Sequence, residues 1–291
     1  MRKCLCFVVL LLALASCQKG HMVTVTVHGS GSVSPLQVAD VPTGESCTFT
    51  ITPEPGNSLH TIKANARFDH SVTLTNTATT YLLPNITSDI ALDVAFVASP
   101  YVKLTVDPSG TILPYGNTCM VTWETATVNP VYLNGEKVKY LSGGNIYRLC
   151  ADTKFTLTGH FGDYTFTDEQ EVQVGPWYET TFGLVSYYPW RYKEFRVSSL
   201  EGEILIISPA TETEKSWVFY YHKDGKISYS FTEEIASWLI EGDTIFQNRE
   251  PFKLQVNQNE MILSYQAIYN GETVWFDMVL EHASDTPTDP I

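Results

Sequence analysis

Positive charge is scarce in this 291-residue chain: 18 Lys and Arg stand against 32 Asp and Glu, a net charge of −14. Nucleic-acid binding needs clustered Lys and Arg, so the balance argues against that class of partner. It argues equally against electrostatic adhesion to anionic lipid. Catalytic signatures are missing too: there is no Gly-x-Ser-x-Gly elbow, phosphate loop or dinucleotide fingerprint. The seven histidines form no His-x-x-x-His pair and the cysteines no Cys-x-x-Cys, so no zinc-ligand spacing occurs. His60 and His70, ten residues apart in loop-rich sequence, are read as coincidence rather than as ligands. Neither metal nor cofactor is expected. Only one apolar run stands out, Leu5 to Leu14. It is too short for a permanent membrane helix, which needs about 20 residues.

That run has a context. Arg2 and Lys3 precede it, and Leu14-Ala15-Ser16-Cys17 closes it with small residues before a cysteine. A cationic start, an apolar core and a small-residue exit make residues 1–16 a secretory signal peptide. The ending resembles the lipobox of bacterial lipoproteins. The resemblance implies cleavage before Cys17, a diacylglycerol on its sulfur and, usually, acylation of the new amino group. Each buried methylene adds roughly 0.8 kcal/mol, so two or three acyl chains hold a protein on a membrane. Residues 17–21 then form a lipidated linker, the membrane is a partner through that anchor, and the expected location is the bacterial cell envelope at the outer membrane. Gln18-Lys19-Gly20 lacks the acidic run that marks surface export in some related lipoproteins. That favours the periplasmic face and leaves the surface face open. Losing Arg2 and Lys3 lowers Lys plus Arg from 18 to 16 against 32 acidic residues, a mature charge of −16.

Six cysteines become three. Cys4 and Cys6 leave with the signal segment and Cys17 is consumed by lipid. Cys47 shares an alternation face with Phe49 and Ile51 and reads as a small buried hydrophobe. Cys119 and Cys150 could pair in an oxidising compartment, but spacing alone leaves open whether their Cα atoms lie within bonding range.

Thr, Val, Tyr and Ile in short runs, punctuated by Gly, Pro, Asn and Asp, predict an all-β chain of three consecutive segments. In residues 22–98, Val23, Val25 and Val27 alternate with threonines, turns follow at Gly29-Ser30-Gly31 and Pro42-Thr43-Gly44, and Pro53-Glu54-Pro55-Gly56 ends a strand. Together with Leu83-Pro84-Asn85-Ile86, these motifs resemble the divergent B-repeat family related to internalin repeats. They depart from it at Ala64-Asn65-Ala66, where an Asn-Gly turn is usual. The resemblance implies a β-grasp-like spacer, with room for a short helix and no catalytic residue.

In residues 100–175, Cys119, Val121 and Trp123 share one face and Asn134-Gly135 signals a tight hairpin. This segment, with Val121-Thr122-Trp123-Glu124-Thr125 and Thr153-Lys154-Phe155-Thr156-Leu157, is similar to bacterial immunoglobulin-like domains, which makes Trp123 a sandwich core residue. In residues 187–282, successive hairpins without a long crossover point to an up-and-down antiparallel barrel. Trp190, the Asp224-Gly225 turn, Trp238-Leu239-Ile240-Glu241-Gly242-Asp243 and Met261-Ile262-Leu263-Ser264-Tyr265 resemble bacterial lipocalin-like domains. The match departs at Tyr188, where lipocalins usually carry glycine two residues before the first tryptophan. Residues 283–291 are polar and aperiodic, an expected flexible tail.

Function is then sought on the barrel. Trp217, Phe219, Tyr221, Tyr229, Phe231 and Trp238 supply the richer apolar lining, and Trp217, Phe219, Tyr221, Tyr229 and Trp238 are the candidate ligand-binding residues. They predict a narrow, mostly apolar cavity. Trp177, Tyr178, Tyr187, Tyr188 and Trp190 form a second aromatic cluster, read as sealing the second segment to the third rather than as a sugar platform. The acidic pairs Asp168-Glu169, Glu201/Glu203 and Glu233-Glu234 could serve a glycosidase but read as solvated loop charges. No catalytic residue is assigned. The expectation is a non-enzymatic, membrane-anchored envelope lipoprotein whose spacers present a barrel to a small-molecule, glycan or protein ligand. A structural or adhesive protein with a filled barrel is the alternative, and a carbohydrate-active enzyme stands behind it.

Overall fold

The structure, a computed structural model, describes residues 20–288. Cys17, the signal segment 1–16 and residues 289–291 of the expected tail lie outside the described residues. The fold is all-β, with twenty-four strands and three short helical turns among the described residues. No described helix is long and apolar enough to cross a membrane. The chain gathers into two compact units. The first comprises residues up to Val102 with Thr125–Val131 and Gly159–Phe166; the second comprises Lys103–Glu124, Tyr132–Thr158 and everything from Thr167.

In the first unit, β1 (His21–His28), β2 (Gly31–Ser34), β3 (Gln37–Val41), β4 (Cys47–Pro53), β5 (Asn57–Ala64), β6 (Arg67–Phe68), β7 (Thr79–Leu83) and β8 (Ile90–Ala98) form two sheets. One has the order β3-β1-β8-β5-β6, with β1 and β8 parallel, and the other the order β2-β4-β7. Period-two patterning explains them. In β4, Cys47, Phe49, Ile51 and Pro53 are buried and the threonines between them exposed. Phe49, Ile51, Leu59, Ile62, Leu92 and Val94 meet in one core, each worth about 1.5–3 kcal/mol relative to exposure.

The short helix allowed for in this segment does not form. Residues 69–78, the longest stretch without one of these strands, carry β-branched Val72, Thr73, Thr75 and Thr77, which lose rotamer freedom in a helix. Asp69 instead closes a local turn: the Ser71 amide and hydroxyl donate to its Oδ1, and the Tyr81 hydroxyl donates to its Oδ2.

Next, β9 (Tyr101–Asp107), β10 (Thr118–Ala126), β11 (Val131–Leu133), β12 (Glu136–Lys137), β13 (Ser142–Arg148), β14 (Thr153–Phe161) and β15 (Tyr164–Val172) form the sheets β13-β10-β9 and β12-β11-β14-β15. Cys119, Val121 and Trp123 are buried on one face of β10, and the Trp123 Nε1 donates to Tyr140 O at 3.1 Å. Asn134 and Gly135 both take positive φ, at 51° and 82°, in the β11–β12 hairpin.

One expectation needs correcting here. Asp168 and Glu169 are not loop charges but lie on edge strand β15, where Asp168 Oδ2 accepts the Leu104 amide at 2.7 Å and Glu169 pairs with Lys154 at 2.7 Å. Cys119 and Cys150 are both free thiols. Cys119 stands opposite Tyr147 in the β10–β13 ladder. Cys150 lies past the end of β13, in the bend that follows Arg148.

The remaining strands are β16 (Trp190–Ser198), β17 (Ile204–Pro209), β18 (Val218–Tyr221), β19 (Lys226–Tyr229), β20 (Thr232–Glu241), β21 (Thr244–Gln247), β22 (Glu250–Val256), β23 (Glu260–Tyr269) and β24 (Glu272–His282). All neighbours are antiparallel, and β16 also pairs with β24, so β16 and β18–β24 close into a ring of eight strands. The ninth, β17, pairs with β16 alone. Ahead of the barrel lie a 3-10 turn (Trp177–Glu179) and a helix (Thr181–Ser186), the latter capped by the Thr180 hydroxyl, which accepts from the Gly183 amide. A further helical turn (Glu212–Lys215) begins with a capping box between Thr211 and Glu214.

Candidate functional site

One end of the barrel is plugged. The helix Thr181–Ser186 sets Val185 beneath Trp190, whose Nε1 donates to Val185 O at 2.8 Å, and both residues are fully buried. Phe182 of the same helix stacks on Trp238 at 5.1 Å. The Trp238 Nε1 donates to His222 O, and Tyr221 meets the Trp238 ring edge-on at 5.6 Å. Tyr221 is wholly buried. Its hydroxyl accepts from Gln247 Nε2 at 2.8 Å, and burial holds its phenol far above the ordinary pKa. With Ile227, Ile245 and Met261, these rings fill the strand ends around Trp190.

All five candidate ligand-binding residues therefore join one cluster, but in two roles. Phe219, Tyr221 and Trp238 are core, while Trp217 and Tyr229 are half-buried at the opposite end. There Tyr192 lies 4.9 Å from Phe219 and 5.1 Å from Phe195, and Trp217 lies 5.1 Å from Phe231, which is itself 5.3 Å from Tyr229. Phe231 is 48 % exposed, so this group of rings is open to solvent. Tyr265 stacks on Phe276 at 5.7 Å and meets Phe252 edge-on, forming a second aromatic row. Burial pushes the Tyr192 phenol up to about 12, helped by the nearby Tyr229, Glu214 and Tyr265.

Sequence reasoning missed Tyr192 and Phe195. The β16–β24 register slips between Tyr192 and Glu194, so Lys193 is an extra residue and the alternation restarts one position late. Only the unusual aromatic content of Trp190–Phe195 could have signalled them.

The second aromatic cluster is packed. Trp177 stacks on Tyr187 at 4.6 Å with planes 8° apart, Tyr188 meets both edge-on, and Tyr115 reaches Tyr187 at 6.2 Å. The Thr180 hydroxyl donates to Tyr115 O at 3.0 Å, so this aromatic knot ties the Lys103–Glu124 segment to the barrel within the second unit. Of the expected tail, Thr288 donates its amide to Tyr187 O at 2.8 Å.

Elsewhere, His60 packs on Phe161 and His70 lies beside Phe68. Among the described residues no group of three or more His, Cys, Asp or Glu side chains is placed to hold a metal ion. Glu201 and Glu203 are exposed between β16 and β17, as loop charges, whereas Glu233 and Glu234, also exposed, lie on strand β20 and not in a loop. No protein-family model matches the chain, and no curated protein matches it.

Proposed function

We propose that this protein is a non-enzymatic lipoprotein of the bacterial cell envelope, anchored through Cys17, whose barrel binds a small apolar or ring-shaped ligand at its aromatic mouth. The observation that carries this reading is the contrast between the two barrel ends. One is filled by Trp190, Tyr221 and Ile245, and the other presents Trp217, Tyr229 and Phe231 half-open to water. Covering roughly 100 Å² of such apolar surface contributes about 2.5 kcal/mol, enough to favour a flat ligand that slides between the rings. A mouth rather than a through-cavity suits small ligands and disfavours long lipids.

The test is a fluorescence and thermal-shift titration of protein lacking residues 1–17 with sugars, fatty acids and porphyrins. Saturable quenching is expected for one class, lost in Trp217→Ala. Saturable turnover of a glycoside, abolished by replacing two facing carboxylates, would overturn the non-enzymatic reading. A Cys17→Ala variant that still pellets with membranes would overturn the anchor.

A second reading, partner binding or adhesion, is favoured by β17. Ile204, Leu205 and Ile207 are all exposed, and the strand is hydrogen-bonded along one edge only. Uncovered apolar edges of this kind accept a further strand.

A further inference from the structure

A sizeable cleft lies away from the aromatic mouth residues Trp217, Tyr229 and Phe231. It has a volume of about 740 Å³ within the second unit, where Gly116, Asn117 and Arg148 approach the helix Thr181–Ser186, the turn Lys223–Gly225 and the strand around Trp238. Its base is apolar, made by Phe182, Trp238, Leu239 and Ile240. Phe182 carries the Arg148 guanidinium 4.7 Å from its ring centre and is itself stacked on Trp238. Arginine on an aromatic face keeps its planar fork of donors pointing outward and pre-oriented.

What makes the cleft unusual is the state of its polar groups. The chain has 32 acidic residues against 18 basic ones, yet no carboxylate pairs with Arg148 among the described residues. The one carboxylate in the lining, Asp224, is already committed: Lys226 donates to it from both its side chain and its backbone, holding the acid below its ordinary pKa. A second cation, Lys223, lines the same wall, and both positive charges act on the thiol of Cys150. The Asn117 amide and the Thr181 hydroxyl also border the cleft, and neither side chain is hydrogen-bonded within the described protein. In a molecule of net charge −14, the Asn117 and Thr181 donors beside the carboxylate-free Arg148 give this cleft a local polarity opposite to that of the chain as a whole.

We propose that this cleft is a second binding site, taking a small ring compound that bears one carboxylate. The carboxylate meets the Arg148 fork in a bidentate pair, with Lys223 alongside. The ring lies over the apolar base, and any hydroxyl groups it carries are met by Asn117 and Thr181. A polyanion is disfavoured, because the Arg148 fork pairs with one carboxylate and the acidic chain repels further negative charge. The shared chemistry has two sources, an acidic sugar and an aromatic acid.

The test is calorimetric titration of the full chain in detergent with galacturonate, benzoate and neutral glucose. Saturable binding of galacturonate or benzoate, with glucose inert, is the expected result. Galacturonate alone assigns an acidic sugar, benzoate alone an aromatic acid, and both together a site that reads ring and carboxylate only. Arg148→Gln should weaken the bound acid by about tenfold or more, and Arg148→Lys by less, since lysine keeps the charge but loses the fork. Because Arg148 is exposed, both variants should keep the parent circular dichroism spectrum and melting temperature. Binding of neither acid, equal affinity in Arg148→Gln, or loss of the signal in the mouth variant Trp217→Ala would overturn the proposal.

Discussion

Trp123 shows how much a single side chain rests on its surroundings. It is 7 % exposed, its indole N–H is satisfied by Tyr140 O, and a β-carbon on Gly143 would lie 2.7 Å from its ring. Trp123→Ala should therefore cost about 3–5 kcal/mol in denaturant unfolding; a loss below about 1 kcal/mol would mean the ring is not core. His282 offers a pH test. Its ring lies 4.5 Å from Trp190 and 4.7 Å from Tyr188, its Nε2 is buried without a hydrogen-bond partner among the described residues, and burial lowers its pKa. The folded state holds the neutral ring, whereas the unfolded chain takes up a proton as pH falls through about 6.5. Stability from this residue is thus complete above about pH 6.5 and lost progressively below it. His282→Gln should flatten the fall of melting temperature between about pH 7 and pH 5; an unchanged slope would show that the ring is not held neutral. Burial at Cys47 and Trp123 was legible because strands alternate with period two. Arg148 was not, because the ring it rests on, Phe182, is far along the chain and no local pattern links them.

At the level of elements, hairpins were the readable part. Asn134-Gly135 and Asn270-Gly271 both adopt the paired positive φ values that their chemistry favours. Strand β15 was obscured because an edge strand needs no apolar alternation, and its Asp168, Glu169 and Glu171 imitate a loop. Strands inside and outside the barrel ring should answer differently to substitution. Ile245 of β21 is fully buried, so Ile245→Ala should cost about 2–5 kcal/mol. Ile207 of β17 is 54 % exposed, so Ile207→Lys should change unfolding free energy by no more than about 0.5 kcal/mol. The same charge should reduce any self-association seen by sedimentation, because a lysine on an unpaired edge discourages strand addition. Equal losses in the two variants would mean that β17 belongs to the barrel core.

For the whole molecule, barrel closure followed from consecutive hairpins, whereas the grouping of the chain into units did not, because it depends on side chains meeting across long sequence separations. The stretch around Gly175-Pro176 reads as a linker by composition. Yet Leu113 donates to Gln173 O and accepts from the Gly175 amide, and the Thr180 hydroxyl binds Tyr115 O. A β-carbon on Gly116 would collide with the Phe182 ring, so backbone and ring are in close contact there. If a protease nicks the chain at Gly175-Pro176, the fragments on either side should still co-elute in size-exclusion chromatography. Separate elution would show that the second unit's Lys103–Glu124 and Tyr132–Thr158 segments do not hold to the barrel.

The parallel pairing of β1 with β8 has a consequence under load. Six consecutive positions, from Val23 opposite Ile90 to His28 opposite Ala95, are joined with both strands running the same way. Tension applied between residue 20 and residue 99 therefore pulls the two strands in opposite directions along their length. The ladder is loaded in shear, and its hydrogen bonds must yield together rather than unzip one at a time. A chain held at residue 20 and tugged from beyond Ala98 loads this ladder along its whole length at once.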